Sequence, residues 1–185
     1  MGIPRDVFGH CKKYFDSAKN ILELGAQHYL VNNSVVGYFK NLFTYPLTSL
    51  DMNGENGSLQ VDLAKDLPPM KRYDLITNFG TTEHVSNQYQ CWKNVHTLLE
   101  DGGLVISEIP EIGAWKGHCV YYVDRRFFES MSTDFEIIEY NQNFYPENGN
   151  LCFCIMKKIS KKFTTTKEDL MKDVQIVNTY DKISV

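Results

Sequence analysis

The chain has 185 residues, 43% of them apolar and 23% charged, with a formal net charge of -4, which fits one soluble domain with a sizeable core. No apolar run approaches the roughly 20 residues that span a bilayer, and residues 1–13 lack the apolar stretch of a secretion signal, so a cytoplasmic protein with no membrane association is expected. The negative balance argues against nucleic acid as a partner, because phosphate binding needs a basic face.

Pro4 followed by Val7, Phe8, Cys11, Tyr14, Phe15 and Ala18 has helical spacing, with proline near the first turn. Residues 20–24 read as a short buried strand closed by Gly25. Asn32, Asn33 and Ser34 can cap a predicted helix carrying Val35, Val36, Phe39, Leu42 and Phe43. A second strand is predicted from Pro46 to Met52, ending on Asp51, and a third extended piece over residues 58–63. Too few residues separate Met52 from Leu59 for a parallel crossover. The usual helix there is therefore missing, and the third strand is either rudimentary or the segment folds back as a hairpin or loop carrying Asp62.

Residues 73–79 form a fourth predicted strand. Ser86 is placed as the cap of a helix with Cys91, Trp92, Val95, Leu98 and Leu99 on one face, stopped by Asp101-Gly102-Gly103. Trp92 reads as core, and Trp115, after Gly113-Ala114, as a lid residue. A fifth strand covers 104–109, Asp124 caps a helix with Phe127, Phe128 and Met131, and strands over 136–140 and 151–156 close as a hairpin across the turn-rich 146–150.

Alternating strands and helices predict an α/β, doubly wound, Rossmann-like fold with a mainly parallel sheet of about six to seven strands and an antiparallel C-terminal edge strand. Residues 1–158 are expected as a single domain and 159–185 as a C-terminal tail, docked or partly disordered. The tail's Val174, Ile176 and Val177 can dock on the body or on a second copy, giving a homodimer. The five cysteines form no framework and no C-x-x-C pair, and no His/Cys set has ligand spacing, so reduced thiols and no metal are expected. On a strand, Cys152 and Cys154 would share a face.

In such a sheet, ligands bind beyond the carboxyl ends of the strands. Those ends carry Glu23, Gly25, Ala26 and Gln27, then Asp51, then Asp62, then Asn78, Gly80, Thr81 and Glu83, and finally Glu108 and Glu111. An ionised carboxylate at the end of strand two can accept from both ribose hydroxyls. Asp62 could accept from an adenine amine, and Gly25 lets backbone approach a ligand. The absence of G-x-G-x-x-G argues against a dinucleotide, whose pyrophosphate that motif cradles. A nucleoside lacking a diphosphate and carrying an ammonium fits better.

Ile21-Leu22-Glu23-Leu24-Gly25-Ala26, Asp51, Val61-Asp62-Leu63, Tyr73-Asp74-Leu75-Ile76-Thr77-Asn78-Phe79-Gly80, Glu83-His84-Val85 and Gly102-Gly103-Leu104-Val105-Ile106 resemble, in order and spacing, the motifs of class I S-adenosylmethionine-dependent methyltransferases. His118-Cys119-Val120-Tyr121-Tyr122 followed by Phe127-Phe128 resembles the His-containing segment before the last helix of small-molecule members. The resemblance implies S-adenosylmethionine as cofactor. Glu23 would lie near the methionine ammonium, Gly25, Ala26 and Gln27 beneath the cofactor, and Asp51 with Met52 at the ribose. Asp62 and the Leu63 amide would read adenine, and Asn78 and Phe79 would line the methionine end through backbone groups. His84 is the expected base for a hydroxyl acceptor, and Glu83, His118 and Tyr121 the expected contacts to a small-molecule substrate. Gln27 stands where the family usually has a second glycine. The alternative is a degenerate methyltransferase-like domain serving as a non-catalytic binding or scaffold partner.

Overall fold

The computed structural model describes residues 2–44 and 47–176. The chain opens with strand β1 (Gly2–Pro4) and helix α1 (Arg5–Ser17), whose Val7, Cys11 and Phe15 are buried at helical spacing. Next comes β2 (Ile21–Leu24), in which all four residues are buried, as a central parallel strand requires.

The helix predicted to carry Val35, Val36, Phe39, Leu42 and Phe43 is absent. Its place is taken by the antiparallel hairpin β3 (His28–Val31) and β4 (Ser34–Tyr38), followed by a 3-10 turn at Phe39–Leu42. Asn32 and Asn33 have φ of 49° and 60°, the left-handed pair that a two-residue primed hairpin turn demands. They therefore turn the chain back instead of capping a helix. Val35 and Val36 are 59% and 60% exposed, so no apolar helix face existed to be buried. Phe39 is held between Phe15 and Phe43, with ring centroids 5.4 and 5.0 Å away, and this aromatic packing anchors the crossover.

After β5 (Leu47–Asp51) the chain forms only a two-residue parallel strand, β6 (Leu59–Gln60), so the third strand is rudimentary and no helix precedes it. The remaining elements are β7 (Tyr73–Phe79), a 3-10 turn at Thr82–His84, α2 (Gln88–Leu98), β8 (Leu99–Pro110), β9 (Tyr121–Val123), α3 (Arg125–Glu129), β10 (Phe135–Tyr145), β11 (Gly149–Lys158), α4 (Lys167–Met171) and β12 (Val174–Ile176). Asn87, not Ser86, caps α2, accepting from the Gln90 N–H at 3.2 Å. Asp101-Gly102-Gly103 does not end that helix; it sits inside β8, where the register against β7 shifts. Asp124 caps α3 as expected, accepting from the Arg126 N–H at 2.8 Å.

The seven-stranded sheet has the order β10-β11-β8-β7-β2-β5-β6, and β11 runs antiparallel to both of its neighbours. The α/β, Rossmann-like architecture with a mostly parallel sheet and an antiparallel C-terminal hairpin is thus present. Cys152, Cys154 and Met156 of β11 face the core under α2 and α3, while Phe153 and Ile155 face the core under α1. All five cysteines are free and buried.

Residues 159–176 pack on the body. Asp134 accepts from the Thr165 N–H and hydroxyl at 2.7 Å each, from Ser160 at 2.7 Å and from the Thr164 N–H at 2.9 Å. Leu170 of α4 is fully buried, and β12 pairs antiparallel with β9. The Pro46 start predicted for the second strand, and Val177 with the rest of the tail, lie outside the described residues. No helix among the described residues is long and apolar enough to cross a membrane.

Candidate active site

From β2 the chain runs outward to β5 and β6, then returns to β7 on the other side of β2. This reversal is the switch point at which open α/β sheets leave a crevice. A cavity of about 430 Å³ lies there, within the size range of small-molecule sites. Its walls include Gly25 and Gln27 after β2, Leu50, Asp51 and Met52 at the end of β5, Val61, Asp62 and Leu63 after β6, and Gly80, Thr81 and His84 after β7.

The turn after β2 is fixed by its neighbours. Gly25 has φ +74° and donates its N–H to the Leu50 carbonyl at 2.7 Å. A Cβ there would lie 2.4 Å from Thr81 Oγ1 and 2.6 Å from Gln27 Nε2, so glycine is required by both conformation and space. Above it, Gln27 Nε2 donates to Thr81 Oγ1 at 2.9 Å, and Thr81 donates to the Leu24 carbonyl at 2.7 Å. Gln27 is 7% exposed, and its Oε1 has no hydrogen-bond partner.

Glu23 lies beneath the cavity floor, in a polar row with Ser49 and Thr77 of the flanking strands. It accepts from the Gln27 N–H at 3.0 Å and from the Ser49 hydroxyl. Burial pushes its carboxyl up to about 7, against the pull of these bonds. Asp51 accepts from the Ala26 N–H at 3.1 Å and the Asn53 N–H at 3.2 Å, and an ionised carboxylate keeps further lone pairs. Asp62 accepts from Lys65 Nζ at 3.0 Å and the Ala64 N–H at 2.9 Å, and chiefly the Lys65 contact holds its carboxyl below the usual range.

Of the residues expected to hold a cofactor, Gly25, Gln27, Asp51, Met52, Asp62 and Leu63 line the cavity; Ala26 and Glu23 support them. Two do not line it. The Asn78 side chain is turned into the core, donating to Thr82 Oγ1 and Ser107 Oγ at 2.8 Å each, and Phe79 is buried under α1. Leu50 and Ser86 are wall residues that no motif announced. Leu50 had one local signal, as the last apolar residue before the strand-end Asp51.

His84 lines the cavity, and Glu83 beside it is buried. Asn78 fixes their turn by accepting the Thr82 N–H at 3.0 Å, and Gln88 donates to the Thr82 and Val85 carbonyls. His118 arrives on the loop after β8, its ring centroid 5.1 Å from that of His84. Tyr122 shapes this loop, donating to the Trp115 carbonyl at 2.9 Å and accepting from the His118 N–H at 3.1 Å. Trp115 packs between His118 and Tyr145, at 5.5 and 5.6 Å. Tyr121 donates to the Ser86 carbonyl at 2.6 Å, which gives its hydroxyl a structural partner. Burial pushes Glu83 up to about 8 and holds the His84 and His118 imidazoles below their usual range.

The strand order and the cavity at the β2–β7 switch point are those of a Rossmann-like α/β fold, which solved S-adenosylmethionine-dependent methyltransferases share. No family model and no curated protein sequence matches the chain. Solved structures do. The N-methyltransferase NodS from Bradyrhizobium japonicum WM9, in complex with S-adenosylhomocysteine, is similar with a TM-score of 0.58 at 12% identity, over 85% of this chain and 89% of that one. A Burkholderia thailandensis 1,6-didemethyltoxoflavin-N1-methyltransferase bound to 1,6-didemethyltoxoflavin and S-adenosylhomocysteine has a TM-score of 0.60 at 11% identity, over 84% and 78%. The cyclase SpnF is also similar, with a TM-score of 0.55 at 11% identity, over 76% and 74%. At these identities the likeness is one of fold, and a fold carries more than one chemistry.

Proposed function

We propose that the chain binds S-adenosylmethionine in the switch-point cavity and transfers its methyl group to a small-molecule acceptor. The observation that carries this reading is the convergence of Gly25, Asp51 and Asp62 on one cavity from three strand ends. The residues fit the cofactor. Asp51 offers acceptors for two ribose hydroxyls, and Asp62 one for an exocyclic amine. Leu50, Val61, Leu63 and Val85 supply apolar wall for a purine. The unpartnered, buried Gln27 Oε1 is an acceptor suited to an ammonium group. The bare backbone at Gly25 admits close approach once the Gln27 amide swings aside.

When bound, the cofactor supplies a methyl group activated by an adjacent sulfonium. The protein's part is then positioning and electrostatics. The cavity floor holds the ligand, and the mouth presents His84, whose neutral imidazole can take the proton of a hydroxyl or amine acceptor. Tyr122 and Trp115 hold His118 beside it. The acidic net charge of -4 favours a small metabolite over nucleic acid as acceptor.

The test is turnover. The full chain is incubated with S-adenosylmethionine and a panel of small hydroxyl and amine acceptors, and S-adenosylhomocysteine is measured. Product above the acceptor-free blank, lost in His84→Ala, supports methyl transfer. Cofactor binding with no turnover across the panel would favour the non-catalytic binding domain instead.

A further inference from the structure

Glu83 is 1% exposed, and neither of its carboxylate oxygens meets a donor from another residue. A carboxylate removed from water in this way requires a cation or a proton to balance it. Among the described residues no lysine or arginine forms an ion pair with Glu83; its ion-pair contact is His84, with Nε2 3.8 Å from Oε1. His118 completes a group whose candidate ligand atoms all lie within 4.8 Å of one another.

We propose that Glu83, His84 and His118 form a binding site for one divalent transition-metal ion of the zinc or iron(II) type. Two imidazoles and one carboxylate, with the remaining positions open to solvent or substrate, are the donor set these ions take at reactive centres. Bonds of about 2.0–2.2 Å in tetrahedral geometry set ligand atoms about 3.3–3.6 Å apart, so a set spread over as much as 4.8 Å must close by up to roughly 1.5 Å. The imidazoles can move, since both histidines are exposed, while Glu83 cannot. The backbone is already tied, because the Val120 N–H donates to the Glu83 carbonyl at 3.3 Å and links the two ligand-bearing segments.

His84 also lines the cavity, so an ion here sits at its mouth, where an acceptor oxygen or nitrogen could ligate it. With the ion bound, His84 is a ligand, and activation of the acceptor passes from imidazole to metal. The site stands on Glu83 and its neighbours alone, whether or not the cavity takes S-adenosylmethionine.

The test is calorimetric titration of the metal-free full chain with Zn²⁺, without S-adenosylmethionine, repeated with Co²⁺ followed by visible absorption. One ion per chain is expected, with affinity reduced at least about tenfold in Glu83→Gln and His118→Ala and unchanged in His28→Ala. Zn²⁺ should also raise the melting temperature of the wild type and not that of the two site variants. If Glu83→Gln fails to fold, the exposed His118→Ala decides alone. No saturable binding, or binding equal in wild type and His118→Ala, overturns the proposal.

Discussion

The carboxylate of Asp51 accepts the backbone N–H of Ala26 at 3.1 Å, so the end of β5 and the turn after β2 are one joined unit. That turn in turn hangs from Gln27 and Thr81, which close over Gly25. The turn under the cavity and the wall that carries Asp51 are therefore coupled, and a change in one is felt by the other.

Gly25→Ala should destabilise the fold by about 1–3 kcal/mol, because it places a side chain in the left-handed region and against Thr81 Oγ1 at 2.4 Å. Urea unfolding measures the loss. Combining it with Thr81→Ala removes the closer contact, so the double variant should be more stable than the sum of the two single changes predicts.

Glu23→Gln tests the buried carboxyl under the floor. Its folded pKa, raised to about 7 by burial, lies above the unfolded value of about 4.3. Its contribution to stability is therefore fully present below about pH 4.3 and lost as pH rises through about 7. The glutamine variant has no such loss. The stability difference between variant and wild type should shift in the variant's favour by up to about 3 kcal/mol from pH 4.5 to 8. A difference that is flat with pH would contradict the buried carboxyl.

Asp134 has the opposite sign. Burial pushes its carboxyl up, but hydrogen bonds from Thr165, Ser160 and Thr164 outweigh it and hold it at about 2. Its contribution is present above about pH 3.8 and lost as pH falls toward 2. Asp134→Ala should cost about 2–3 kcal/mol at pH 7, since it strips an ionised acceptor from several donors. It should also release residues 159–176 from the body, seen as faster amide exchange at Thr164 and Thr165.

Much of this architecture is legible in local sequence. Continuous apolar runs bounded by polar ends gave β2, β7 and β8, and Asp124 with Phe127 and Phe128 gave α3. Residues 32–43 misled because Val35, Val36, Phe39 and Phe43 fit helical spacing. What decided their structure was the left-handed turn at Asn32 and Asn33 and a long-range aromatic contact with Phe15, which no local window contains. The cavity walls followed from the rule that ligands lie past strand ends, which located Gly25, Asp51 and Asp62. The cluster of Glu83, His84 and His118 was hidden because His118 is far downstream. Only the loop shaped by Tyr122 brings it to His84.

The most direct test of the central claim is calorimetric titration of the full chain with S-adenosylhomocysteine, in wild type and Asp51→Ala. One ligand per chain is expected for the wild type, with affinity at least about tenfold weaker in Asp51→Ala through the loss of a charge-assisted pair of hydrogen bonds. No binding to the wild type at millimolar ligand, or equal affinity in the two proteins, would contradict it.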